Sequence, residues 1–171
     1  RLDRARLDRA NLDRASLDGA SLDGASLVGA NLDRANLDGT KGINTLLMTP
    51  LYLLRDQPGQ IRAYKLVTSS GEGPFNGGIV YRIGEAVEAQ DAETDEAQQC
   101  AAGISLTTLD WCMREWRKGY RILIAEFTAA DIAAIPIGSD GKFRVFRCQI
   151  VGEKDLVEIG LIAAPEAEVK A

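Results

Sequence analysis

The chain has 171 residues, 46% of them hydrophobic and 26% charged, with a net charge of −5. That length supports one ordinary domain or two small ones, and the balance excludes wholesale disorder. Histidine is absent, which removes every histidine-based triad, general base and metal ligand, and the acidic balance leaves nucleic-acid binding without its basic footprint.

A repeat of five dominates the first forty residues. Leu occupies positions 2, 7, 12, 17, 22, 27, 32 and 37, and Ala occupies 5, 10, 15, 20, 25, 30 and 35. From Leu7 on, Arg, Asn or Ser precedes each Leu; Asp follows it, with Val28 the one departure, and then comes Arg or Gly. Steps of five rotate by about 500° on a helix, so the leucines share no helical face. On a flat strand they point alternately to opposite sides. The backbone must therefore turn a corner every five residues, which defines a solenoid.

The runs ANLDR, ASLDG, ASLVG and ANLDG resemble the pentapeptide-repeat proteins. The resemblance covers residues 1–40 and implies a right-handed, four-sided β-helix with four pentapeptides per coil. Leu and the preceding Ala would point inward, stacking Leu2 on Leu22, Leu7 on Leu27, Leu12 on Leu32 and Leu17 on Leu37. Two coils are too few to stand with an end bare. The chain opens without Met or a signal peptide, giving the expectation that Arg1 is a cut end. Further coils, another subunit or a different partner would then cover Leu2, Leu7, Leu12 and Leu17. Some members of the family are long acidic mimics of DNA that inhibit DNA gyrase. Here two coils about 10 Å tall carry seven Asp against six Arg, a poor copy of a duplex with one charge per about 1.7 Å. A solvated Asp/Arg face is the expectation for this surface.

Composition changes after Thr40. Residues 43–56 read as a short apolar helix, broken or started near Pro50, that plugs the second coil with Leu46, Leu47, Met48, Leu51, Leu53 and Leu54. Pro58 and Gly59 mark a turn. Strands follow at 61–67 and 79–83. A helix is predicted over 108–118, capped by Thr107 or Thr108, with Leu109, Cys112, Met113 and Trp116 on one face. A strand at 120–127, a helical turn at 130–134 and a strand at 143–151 complete the pattern. The fold class is mainly β: a short β-helix (1–40), a capping helix and linker (41–59), a small α+β domain (60–162) and a loose tail (163–171). No apolar run approaches the ~18–20 residues that cross a bilayer. The segments AYKLV (63–67), CAAGISL (100–106) and GKFRVFRC (141–148) together resemble a C-terminal domain of unknown function from bacteriophage and bacterial pentapeptide-repeat proteins. That resemblance implies no activity and points toward a phage or prophage origin.

The remaining polar features bound the chemistry. Cys100, Cys112 and Cys148 form no CxxC pair, so they read as buried or semi-buried thiols of a cytoplasmic protein, or one of a phage particle. The acidic stretch from Glu85 to Glu96 lacks the spacing of a calcium loop and reads as a solvated loop suited to a basic partner. Cys100 has no histidine to activate it; Lys, Arg or a helix N-terminus would have to. Gly71, Gly73, Gly77 and Gly78 carry no phosphate-binding fingerprint. Trp111, Arg114, Arg117 and Arg121 form a candidate contact patch. These readings lead to a non-enzymatic structural or interaction protein without cofactor or metal, a homo-oligomer or part of a larger assembly. The alternatives are a small-ligand or nucleotide-binding, or enzymatic, domain in 60–162, where the Arg114–Arg121 cluster and the glycine-rich loop would converge on a pocket, and a DNA-mimic gyrase inhibitor.

Overall fold

The computed structural model describes residues 1–32, 35–37, 39–44, 49–75 and 77–163. In the repeat, the amide of each Ala at positions 5, 10, 15, 20, 25 and 30 donates to the carbonyl of the Leu three residues before it, at 2.9–3.0 Å. Each bond closes a four-residue turn, and the residue before Ala has positive φ: 55° to 58° at Arg4, Arg9 and Arg14, 63° to 72° at Gly19, Gly24 and Gly29. A turn with a left-handed third residue favours Gly there. An L-residue in that conformation costs about 1–2 kcal/mol, so the three arginines near the start fold against a local preference that the later glycines satisfy.

Between corners, parallel bridges join Arg6 to Ser26, Asn11 to Asn31, Ser16 to Asn36 and Ser21 to Lys41. The chain thus returns to itself every twenty residues, the register expected from four pentapeptides per turn. The acidic face is more structured than its expected solvation. Ser21 and Ser26 donate their hydroxyls to the carboxylates of Asp3 and Asp8, one turn earlier. The Ser21 bond and the nearby Arg1 guanidinium hold the Asp3 carboxyl below its ordinary range.

The rest of the described chain is built on one antiparallel sheet. Its strands are β1 (Gln60–Val67), β2 (Ala86–Glu88), β3 (Ile104–Thr107), β4 (Arg121–Thr128), β5 (Ile132–Ala134), β6 (Lys142–Val145) and β7 (Arg147–Glu153), in the spatial order β2-β7-β4-β1-β3-β6-β5. One helix, α1 (Leu109–Glu115), joins β3 to β4. Alternation along β1 and β4 divides the two faces. Ile61, Ala63, Val67, Leu123, Ala125 and Phe127 face one core, which Leu51 and Tyr52 cover. Leu66 and Ile122 face the other, under Cys112 of α1. The structure is mainly β, with an open antiparallel sheet.

Several boundaries differ from expectation. The helix ends at Glu115 because Trp116 is extended, its indole N–H donating to the Tyr120 carbonyl at 2.9 Å as the chain turns into β4. The strand expected over 143–151 is two strands, since the buried phase changes from Phe143 and Val145 to Cys148 and Ile150 across a bend at Phe146. The turn at 130–134 is a 3₁₀ turn at Ala129–Asp131 followed by β5. Within 79–83 only Val80 forms a bridge, to Glu72, because β1 is already flanked by β3 and β4. Strands β2 and β3 were not anticipated.

The expected plug is described only in part. Residues 45–48, with Leu46, Leu47 and Met48, lie outside the described residues, as do 164–171 of the expected tail. Ile43 packs against the leucine core, while the 3₁₀ helix that follows, Pro50–Asp56, gives Leu51 and Tyr52 to the sheet's core. The leucine core also receives Ile137, from the connection between β5 and β6. There the Gly29 amide donates to the Gly138 carbonyl at 2.5 Å. Repeat and sheet therefore meet through this connection.

Candidate functional site

Burial across the repeat is graded. Leu22, Leu27 and Leu32 are 0% exposed, whereas Leu2, Leu7 and Leu12 of the first turn are only partly buried, as is Leu37 at the end of the second. Leu17 is buried at the end of that turn, directly before the second. Amides of Ser26, Asn31 and Asn36 donate to the carbonyls of Ala5, Ala10 and Ala15 at 2.9 Å. Among the described residues, Arg6, Asn11 and Ser16 form the outer rung of this ladder, and an outer rung is a template on which a further strand, of this chain or of another, can pair.

A second feature lies on the sheet. A cleft of about 630 Å³ is lined by Lys65, Tyr81, Phe75, Trp111, Cys100 and Lys142. Lys65 stands on the inward phase of β1, between Ala63 and Val67, and is 9% exposed. Its ammonium donates to the Ser105 carbonyl at 2.9 Å and lies 4.7 Å from the centre of the Tyr81 ring. Among the described residues no carboxylate pairs with it. At the mouth, Lys142 Nζ donates to Cys100 Sγ at 3.3 Å, and Phe75 meets Trp111 edge to face at 6.2 Å.

Burial pushes the Lys65 ammonium down to about 8 from its ordinary 10.5. Below pH 8 folded and unfolded chains are both protonated there, so the burial cost is fully felt. Between about 8 and 10.5 the unfolded chain binds more protons, and stability rises with pH. Burial also pushes the thiols of Cys112 and Cys148 up to about 11 from 9, which opposes the rise from about pH 8 on, as the unfolded thiols begin to ionise. Urea denaturation is therefore expected to show stability increasing by only about 0.5 kcal/mol from pH 7.5 to 9. Lys65→Met is expected to turn that rise into a fall, because the thiol contribution then stands alone.

The residues proposed as a contact patch do not converge. Arg114 binds the Asp140 carboxylate at 2.9 Å and its carbonyl at 3.1 Å. Arg121 forks onto Glu153 with bonds of 2.6–3.1 Å. Arg117 is exposed on the turn before Tyr120. Trp111 packs on the glycine-rich loop through Phe75 and joins the cleft. That loop does line a pocket, through Gly73 and Gly77, but with lysines in place of the expected arginines. The acidic stretch is tied down from its backbone, as the Arg144 guanidinium binds the carbonyls of Glu93, Asp95 and Gln98. No group of three or more Cys, Asp or Glu among the described residues could hold a metal ion. Sequence reasoning missed Lys65, although a lysine on the apolar phase of β1 was the signal that could have found it.

Fold and site together define a repeat ladder joined to an antiparallel sheet that carries a cleft. Residues 1–41 match the family model for pentapeptide repeats, in eight copies. Similarity searches found no matching curated protein and no matching solved structure. The match ends before the sheet, so the resemblance of 63–67, 100–106 and 141–148 to a phage-associated domain gains no support from it. Among the described residues no helix is long and apolar enough to cross a membrane. The repeat is consistent with a protein-interaction or structural role.

Proposed function

We propose that this is a non-enzymatic interaction protein whose repeat is a short right-handed β-helix, docking end-on through its first turn onto a second copy of the chain. The supporting observation is the contrast between fully buried Leu22, Leu27 and Leu32 and partly open Leu2, Leu7 and Leu12. A second copy presents the same leucine layer, so a two-fold would set leucine on leucine face to face, with the strands of the two first turns running antiparallel. Two-fold closure also limits the assembly to a dimer. The near balance of Arg and Asp gives such stacking no strong repulsion, and gives little reason to prefer an acidic DNA mimic. The resemblance of the second half to a phage-associated domain makes particle assembly the first setting in which to look.

Analytical ultracentrifugation of the purified chain tests the proposal. A dimer is expected that dissociates on dilution. The double substitution Leu7→Asp, Leu12→Asp is expected to give a monomer with an unchanged sheet signal by circular dichroism. A wild-type monomer at hundreds of micromolar would overturn the reading, as would a dimer that ignores both substitutions.

A further inference from the structure

The cleft combines features that a packing defect in a sheet does not need. Its floor holds a buried ammonium whose contacts are one carbonyl oxygen and the face of one ring. Burying a charge without a counter-ion is costly, and a methionine would fill the same inward position of β1 without that cost. A second ammonium, Lys142, enters the same cleft from β6, where it pairs with Thr107, two residues along β3 from the Ser105 whose carbonyl holds Lys65. Two cations thus line one cleft with Glu115 the only carboxylate among the described lining residues. The lining is also aromatic: Trp111 and Phe75 meet edge to face, with Phe75 64% exposed. Cavities of roughly 300–1,000 Å³ with few polar groups in an apolar lining are typical of small-molecule sites.

We propose that the cleft binds a small planar organic anion, its negative group between Lys65 and Lys142 and its flat apolar body against Trp111 and Phe75. The anion supplies the counter-charge that the fold omits. The ring covers aromatic surface that otherwise faces water. Charge and ring are both required: an anion alone leaves the aromatic wall bare, and a neutral ring leaves the ammonium unpaired.

Calorimetric titration with 2-naphthoate, 2-naphthalenemethanol and acetate separates these contributions. Naphthoate is expected to bind at least about tenfold more tightly than the neutral alcohol, the difference that a charge-assisted hydrogen bond supports, and than acetate. Lys142→Met, at the rim, and Lys65→Met, at the floor, are each expected to erase most of the preference for naphthoate over the alcohol. The rim substitution keeps the test informative if the floor substitution impairs folding. Cys100 reports the location, because it is exposed in the cleft while Cys112 and Cys148 are buried. Bound naphthoate is expected to slow its alkylation by iodoacetamide severalfold. The proposal is overturned by equal affinity for naphthoate and the alcohol, by no binding at several millimolar, or by binding that leaves Cys100 alkylation unchanged. None of these outcomes bears on the dimer, which ultracentrifugation reads separately.

Discussion

Replacing Gly138 by Ala is expected to lower stability by about 3 kcal/mol or more. Two causes combine. Gly138 has a φ of 74°, where an L-residue costs about 1–2 kcal/mol. A Cβ there would also sit 2.4 Å from the Leu27 carbonyl oxygen and 3.4 Å from that of Ala30. Both contacts are backbone, so neither can swing aside. The connection between β5 and β6 would have to lift, breaking the bond from the Gly29 amide and withdrawing Ile137 from the leucines. Burial of such a side chain contributes about 1.5–3 kcal/mol. Gly160→Ala is the control, since Gly160 has the same φ of 74° with nothing within 4 Å of the added carbon. Urea denaturation should show a cost of only about 1–2 kcal/mol for that variant. Equal losses for the two would mean that the connection does not dock on the repeat.

Arg144→Met is expected to cost about 3–5 kcal/mol. Arg144 is 1% exposed and gives Nε to the Glu93 carbonyl at 2.9 Å, Nη1 to Gln98 at 2.7 Å and Nη2 to Asp95 at 2.7 Å. Methionine fills part of the volume but strands three carbonyls, each worth about 1–3 kcal/mol when left without a donor in a dry site. The same loop offers its Glu96 carboxylate to Arg55 at 2.9 Å and to the Tyr52 hydroxyl, and its Glu96 carbonyl to the Ile137 amide. Freeing it loosens both the 3₁₀ segment and the connection that covers the repeat. A glutamate-specific protease is expected to cut at Glu93 or Glu96 at least about tenfold faster in the variant, because local opening governs cleavage. Arg144→Lys should recover less than half of the lost stability, since one ammonium cannot reproduce a planar fork of donors. Unchanged stability and cleavage in Arg144→Met would refute this account of the loop.

Local rules carried much of the fold. A period of five with Asp then Gly or Arg after each Leu dictates a corner, and the left-handed residue falls where Gly recurs. Alternation marked β1 and β4, and the spacing of Leu109, Cys112 and Trp116 marked α1 and the face it buries. The split at Phe146 was also legible, as a change of apolar phase after Val145. Strand β3 was not, because four residues carry too little periodicity to be recognised without their partners on β1 and β6.

What covers the leucines was decided by the tertiary structure alone. Leu51, Leu53 and Leu54 were as apolar a plug as Ile137, and nothing in either segment records which core it will join. The cleft has the same origin. Lys65, Phe75, Cys100, Trp111 and Lys142 come from five separate stretches of chain, and their meeting depends on β1, β3 and β6 lying side by side in one sheet. Turns and periodicity depend on neighbours within a few residues, so the sequence by itself determined the corners and the inward faces, while the twenty-residue register was only what the family resemblance implied. Covers and clefts depend on pairings between distant strands, which only the assembled sheet supplies.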